Sequence, residues 1–220
     1  MDYKKIFKND WYHTLDVIIN TEEFKNHMDW LQTEYKTKTV YPASTKIFRA
    51  FNKCEPNNLQ VVWLGLDPYI NGEATGLSFG VPPETVKFPP TLRIIENEYI
   101  TDLGRDDLDL SFETYSKHIL FLNTALTVLK GETKSHWQQW QFFTEAVISI
   151  INNEHRNVLF VLLGKEAENY AKFIDTKNHT ILSLPHPMAE VYKPGIGFKN
   201  SRLFTKINEH AFKYFGNHLF

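Results

Sequence analysis

Four short, largely apolar runs constrain the fold of this chain more than any other feature. They cover residues 61–65, 119–122, 158–163 and 180–184. Runs of this kind are typical of strands that helices cover on both faces of a sheet. Segments with helical spacing lie between them, at residues 91–99, 140–152 and 165–173. The alternation predicts an α/β fold whose central, mostly parallel sheet of about four strands is flanked by helices.

The N-terminal quarter of the chain is predicted to be helical. Apolar residues recur near helical spacing over residues 10–34, and a capping signal at residues 20–23 divides the segment into two short helices. A third helix is predicted over residues 44–51, with Ser44 as its N-cap. The chain has 220 residues without an internal repeat or a low-complexity linker, so we expect one domain over residues 1–220.

Composition excludes several classes of protein. The formal net charge of -2 gives no sign of a nucleic-acid partner. The only cysteine, Cys54, excludes an internal disulfide framework and any metal site built on several thiolates. The first nine residues are polar, and no window reaches the roughly eighteen apolar residues of a membrane helix. We therefore expect an intracellular, cytoplasmic protein, with a nuclear or viral context left open.

Polar residues follow each of the four predicted strands. Asp67 follows the first, Asn123 the second, Gly164 and Lys165 the third, and His186 the fourth. Ligands bind at the carboxyl ends of the strands in parallel α/β sheets. The pattern therefore predicts that these residues converge on one crevice.

Each of these residues also has a plain structural interpretation. Asp67 precedes a proline and could simply form a turn. Asn123 could bond loop backbone, and a lone histidine such as His186 is more often structural than catalytic. The chain has no metal-ligand spacing, nucleophilic serine elbow, P-loop or dinucleotide-binding glycine motif. The residue types alone leave the choice between structure and catalysis open.

Several segments, taken in order, resemble the motifs of family 1 uracil-DNA glycosylases. Residues 65–70, GLDPYI, resemble the water-activating motif GQDPYH, and residues 76–79, GLSF, resemble GLAF or GLSF. Residues 88–92 are similar to the PPSL motif, and residues 122–128 are similar to LNTxLTV. The resemblance continues through Ser135, His136, Trp140, Phe143 and Thr144, and it spans roughly residues 41–208. The order and spacing of these matches make chance a poor explanation.

The resemblance implies roles for three residues in recognition of an extruded base. Phe79 would stack on a flipped uracil, and Asn123 would bond its N3–H and O4. Cytosine exchanges the donor and acceptor at those positions, so Asn123 would reject it. Tyr69 would lie against C5 of the ring and exclude the methyl group of thymine.

For cleavage, the resemblance implies that Asp67 and His186 are the catalytic residues. Asp67 would position water and supply an anion beside the cationic sugar. His186, with backbone N–H groups around Leu66 and Asp67, would stabilise the departing uracil anion through O2. The resemblance implies no metal and no cofactor.

The resemblance also implies contacts with single- or double-stranded DNA. The residues at the matching positions are Pro90, Thr91, Gly164, Lys165, Pro187, Val191 and Tyr192. In the last motif, where the family typically reads HPSPLS, serines are replaced by Met188 and Val191. Glu190 occupies the position of the leucine that the family inserts into the base stack, the wedge, and would place an anion facing DNA. Val191 or Tyr192 would be an alternative wedge. These departures predict weaker binding to duplex DNA and a preference for single-stranded DNA.

Leu66 and Ile70 are further departures, since they replace the usual glutamine and histidine of the first motif. We expect activity to persist without these two polar side chains. An alternative function is a DNA-binding or replication accessory protein with little catalysis, and another is an enzyme acting on a different damaged base. The resemblance implies a monomer whose possible protein partners are a proteinaceous glycosylase inhibitor and a replication protein.

Overall fold

The computed structural model describes residues 3–220. Met1 and Asp2, the start of the polar N-terminal segment considered above, lie outside the described residues. The helices are α1 (Tyr3–Ile6), α2 (Trp11–Thr14), α3 (Asp16–Ile19), α4 (Glu22–Thr37), α5 (Arg49–Lys53), α6 (Pro90–Leu103), α7 (Trp137–Glu154), α8 (Lys165–Glu168), α9 (Ala189–Tyr192) and α10 (Leu203–Phe215). The strands are β1 (Val40–Tyr41), β2 (Val61–Gly65), β3 (Ile119–Asn123), β4 (Val128–Leu129), β5 (Leu159–Leu163) and β6 (Thr180–Leu184).

The central sheet has four parallel strands in the order β3-β2-β5-β6. The predicted α/β class and the mostly parallel, four-stranded sheet are confirmed. All residues of β2 and β5 are buried, as the apolar runs predicted, whereas the edge strand β6 is partly exposed. A separate two-stranded antiparallel pair, β1 with β4, was not predicted, because two residues per strand leave no readable pattern.

An aromatic cluster joins the N-terminal helices α4 and α5 to α7. Phe143 of α7 lies 5.5 Å from Phe24 of α4 and 5.9 Å from Phe51 of α5, measured between ring centroids. All three rings are fully buried. The ring of Trp63 in β2 packs 6.0 Å from that of Phe204 in α10, and every residue of β2 is buried, whichever face of the sheet it points to. Helices therefore cover both faces, which is why the strands carry almost no polar residues.

The predicted N-terminal helices are only partly correct. The capping signal is confirmed, since the Thr21 hydroxyl accepts from the N–H of Phe24 at 3.1 Å and α4 begins at Glu22. The segment before it forms two four-residue helices, α2 and α3, that meet at Leu15. The segment predicted as a helix to residue 173 continues from α8 as a 3₁₀ turn over Asn169–Phe173.

The helix predicted over residues 44–51 was wrong in its extent and its cap. Ser44–Lys46 form a 3₁₀ turn, α5 begins only at Arg49, and Ser44 does not act as N-cap. Tertiary contacts set this shape: a Cβ added at Gly76 would lie 2.0 Å from the Lys46 carbonyl oxygen, so the two backbones touch. Arg49 also donates to the Thr75 carbonyl at 3.1 Å. Local spacing carries no information about such a contact.

No helix among residues 3–220 has the length and apolar character needed to cross a bilayer. The buried hydrophobic side chains of the described residues form a cluster that draws on the sheet and on helices from both halves of the chain. One domain over residues 1–220 stays a prediction.

Candidate active site

The carboxyl ends of β2 and β3 and the loop after β6 border a cavity of about 250 Å³. The structure brings together there the residues expected to act on a base, namely Leu66, Asp67, Tyr69, Phe79, Asn123 and His186. Ile47, Thr91, Thr133 and Met188 complete parts of the wall. The cavity therefore carries a carboxylate, an amide and an imidazole on largely apolar walls.

Asp67 lies two residues beyond the end of β2, before Pro68. Its Oδ2 accepts from the backbone N–H of Lys134 at 2.7 Å. Burial raises the pKa of the Asp67 carboxyl above its ordinary value, and the bond from Lys134 opposes that rise. The backbone donor thus favours the charged form of a carboxylate that burial would otherwise neutralise.

Tyr69 and Phe79 form an aromatic wall held by a hydrogen bond. The Tyr69 hydroxyl donates to the carbonyl of Phe79 at 3.2 Å. Phe79 has a φ of 61°, an uncommon left-handed conformation for a bulky residue. Its ring centroid lies 6.2 Å from that of His186. Burial raises the pKa of Tyr69, so this hydroxyl remains a neutral donor.

Asn123 ends β3 directly opposite Gly65 of β2. A Cβ at position 65 would lie 2.6 Å from the Asn123 Oδ1 and 2.9 Å from the Phe79 ring, so only glycine leaves room for both. Among residues 4–220, the side-chain amide of Asn123 makes no hydrogen bond to another protein group. An amide without protein partners in a mostly apolar cavity is suited to pair with a bound ligand.

His186 follows β6 between two prolines. The backbone N–H of Met188 donates to its Nδ1 at 3.2 Å, which leaves the proton of a neutral ring on Nε2. Burial lowers the pKa of His186, and Glu166 partly opposes this. His186 is therefore a neutral donor at neutral pH. Gly164, with a φ of 92°, packs against it, since a Cβ there would lie 3.0 Å from the His186 Cβ.

The expected DNA-contacting residues differ in their exposure. Lys165 and Pro90 are exposed at the first positions of α8 and α6. Val191 and Tyr192 are 57% and 82% exposed at the end of α9. Thr91 borders the cavity, whereas Gly164 and Pro187 are buried. The last two shape the loops rather than offer side chains to a ligand.

Glu190, expected to be an anion facing DNA, bonds to the backbone of its own chain, and its position relative to DNA stays a prediction. Its carboxylate turns into the following loop and accepts from the backbone N–H groups of Gly195, Gly197, Phe198 and Lys199 at 2.8 to 3.0 Å. These bonds lower the pKa of Glu190. A turn with several unpaired amides binds an anion, and Glu190 is the nearest one.

Sequence reasoning missed two residues that shape the site. Lys134 acts through its backbone N–H and has a φ of 62°, which no sequence pattern reveals. Gly65 was read only as part of a motif, although its missing side chain makes the space for Asn123 and Phe79. Within the described part of the chain, no group of three or more His, Cys, Asp or Glu side chains is placed to hold a metal ion.

Comparison with known proteins agrees with this geometry. A sequence model described as the uracil DNA glycosylase superfamily matches residues 51–212. The chain belongs to this superfamily. It is 38% identical over 209 residues to a uracil-DNA glycosylase of Bacillus pumilus, with 93% of this chain and 91% of the relative covered. It is 36% identical over 211 residues to a uracil-DNA glycosylase of Brevibacillus brevis, with 93% and 90% covered.

Solved structures of the superfamily share the fold. The crystal structure of mimivirus uracil-DNA glycosylase matches with a TM-score of 0.89 and 21% identity, covering 100% of this chain and 89% of that one. A mimivirus variant in complex with UGI matches with a TM-score of 0.90 and 23% identity, covering 100% and 90%. At these identities the likeness supports the fold alone.

The anchoring of the loop by Glu190 predicts a local loss of order in Glu190→Gln. Amides 195–199 should exchange hydrogen for deuterium faster than in the wild type, because a neutral amide bonds them more weakly than a carboxylate does. In the wild type the same loss should appear as the pH falls through the lowered pKa of Glu190, and the bonds should persist above the ordinary pKa of about 4.3. Glu154→Gln, at the exposed end of α7, is the control. Unchanged exchange in Glu190→Gln would contradict the anchor.

Proposed function

We propose that this superfamily member is a uracil-DNA glycosylase. It binds a uracil extruded from DNA and hydrolyses the bond between base and sugar, which releases free uracil and leaves an abasic site. The observation that carries the proposal is the convergence of Asp67, Asn123 and His186 on one cavity. Relatives named uracil-DNA glycosylases match over 90% of the chain or more, which supports the same substrate.

Base recognition follows from the polarity and shape of the cavity. The Asn123 amide offers a donor and an acceptor side by side, which pair with O4 and N3–H of uracil. The Phe79 ring stacks on the base. The Tyr69 ring, whose hydroxyl bonds to the Phe79 carbonyl, occupies the space that a methyl group on C5 would need. Cytosine is rejected by lost hydrogen bonds, and thymine by steric conflict.

Cleavage follows from two opposite charges that develop in the transition state. The bond from uracil N1 to the sugar C1′ breaks, and its electron pair leaves with the base. His186 donates from Nε2 to O2 of the departing anion. Asp67 stabilises the cationic sugar, orients the water whose oxygen bonds to C1′, and accepts the proton that this water loses, which then passes to solvent. The chemistry uses only these groups and water, so activity persists in EDTA.

DNA binding in this proposal depends on the exposed residues near the cavity. Tyr192, the more exposed of the two candidate wedges, enters the base stack in place of the extruded uracil. Lys165 and Thr91 contact phosphates on either side. Met188 lies where a phosphate-binding serine is typical, so binding to duplex DNA is weakened. Single strands are therefore the preferred substrate, since their bases cost less to extract.

The deciding experiment is release of free uracil from a uracil-containing single-stranded oligonucleotide. Asp67→Asn should lower the single-turnover rate by about 10²- to 10³-fold, because it removes the anion beside the sugar. Binding of the oligonucleotide should change little. If the wild type and Asp67→Asn release uracil at the same rate, the assigned mechanism is wrong.

Tyr69→Ala should gain activity on thymine, because the ring that meets the methyl group is gone. The rate on thymine relative to uracil should rise by about 10- to 200-fold, the range for one methyl-sized group. Tyr69→Phe is the matched control, since it keeps the ring and loses only the hydroxyl. Thymine release equal in Tyr69→Ala and Tyr69→Phe would refute steric exclusion.

Tyr192→Ala should lower kcat/KM on duplex DNA by about tenfold or more and change it little on single strands, where no stack needs filling. Tyr214→Ala, at a partly exposed position on α10, is the control. An equal loss on both substrates would exclude Tyr192 as the wedge. A loss confined to Val191→Ala would transfer the role to Val191.

A second candidate function is a DNA-binding accessory protein with little catalysis. The altered loop with Met188 and the anchored Glu190 favours it. Tight DNA binding without uracil release by the wild type would select it.

The mimivirus variant solved with UGI further motivates the proposal that a proteinaceous inhibitor binds this chain at its cavity face.

A further inference from the structure

Two charged side chains outside the cavity meet beside Asp67. The ammonium of Lys134, in the loop between β4 and α7, bonds to a carboxylate oxygen of Glu166 on α8. The Lys134 ammonium also lies 5.9 Å from the ring centroid of Trp137. The two ionic side chains are 45% and 28% exposed. The pair therefore ties the loop that precedes α7 to the helix that follows β5.

The backbone of Lys134 serves the active site directly. Its N–H donates to the Asp67 Oδ2, and the bond requires a left-handed backbone at Lys134. That conformation is unfavourable for a residue with a side chain and persists only where surrounding contacts impose it. The ion pair with Glu166 is such a contact, because it fixes the side chain of the same residue.

The charges around Asp67 are balanced by this pair. The charged and titratable groups that face Asp67 are Lys134 from the loop, Glu166 from α8 and His186 from beyond β6. Lys134 lowers the pKa of Asp67, whereas Glu166 raises it. Glu166 also raises the pKa of His186. Removing one partner would leave the other partner's charge uncompensated near both catalytic groups.

We propose that Lys134 and Glu166 form a positioning pair, which holds the Lys134 amide on Asp67 and neutralises the charge beside it. The proposal rests on the proposed glycosylase function. An exposed ion pair usually contributes little to stability, so its role is sought in geometry and charge. Neither residue touches the base, and both act through Asp67.

The test measures kcat and KM for uracil release as a function of pH in Lys134→Gln, Glu166→Gln, Lys134→Arg and the wild type. Lys134→Gln should lower kcat severalfold and move the acidic limb of the profile to higher pH. The sign follows because lone Glu166 raises the pKa of both Asp67 and His186, and activity needs Asp67 ionised and His186 neutral. Glu166→Gln should move the limb to lower pH. Lys134→Arg keeps the charge and should restore the wild-type profile.

The outcomes separate positioning from other roles. Lys177→Gln, at an exposed position before the amino end of β6 and so away from the carboxyl ends of the strands, is the control for loss of a positive charge. A rise in KM alone in Lys134→Gln, which shrinks as salt is added, would identify Lys134 as a phosphate contact and overturn the proposal. Wild-type kcat and pH profiles in Lys134→Gln and Glu166→Gln would also overturn it. Absence of uracil release in the wild type would instead refute the proposed function.

Discussion

The parallel register between β2 and β3 is the constraint on which the site depends. It places Gly65 opposite Asn123. Because Gly65 has no side chain, the Asn123 amide has room beside it. The Phe79 ring reaches the same space. A shift of one residue would reverse every side chain along β2 and remove Gly65 from its place opposite Asn123. The same strand pairing thus sets both the packing of the core and the shape of the cavity.

Backbone donors then orient the polar groups of the cavity. Lys134 supplies an N–H to Asp67, and Met188 supplies one to His186. Each bond selects the form of its partner that suits the proposed chemistry, a charged carboxylate and a neutral imidazole with its proton on Nε2. Glu190 uses the same type of contact to order the loop beside Tyr192. Rigid loops of this kind reduce the reorganisation required when charge develops.

Much of the sheet could be predicted from the sequence because its strands are buried on both faces. β2 and β6 have the predicted bounds, and β3 and β5 differ by one residue at one end. The segment around Ser44 could not be predicted, because a distant backbone contact at Gly76 overrides local helical spacing. The loop contacts of Glu190 could not be predicted for a related reason: position in a motif does not reveal which backbone amides a carboxylate will bond.

The sequence by itself determined the class of fold, the superfamily motifs and which residue types end each strand. These features depend on local composition and spacing, which burial in a two-sided sheet imposes directly. Only the tertiary structure decided that Lys134 holds Asp67, that His186 presents Nε2, and that the Glu190 carboxylate bonds to the backbone of the following loop. Those outcomes depend on contacts between segments far apart in the chain or on the conformation of single backbone bonds. Neither produces a pattern that can be recognised in the sequence.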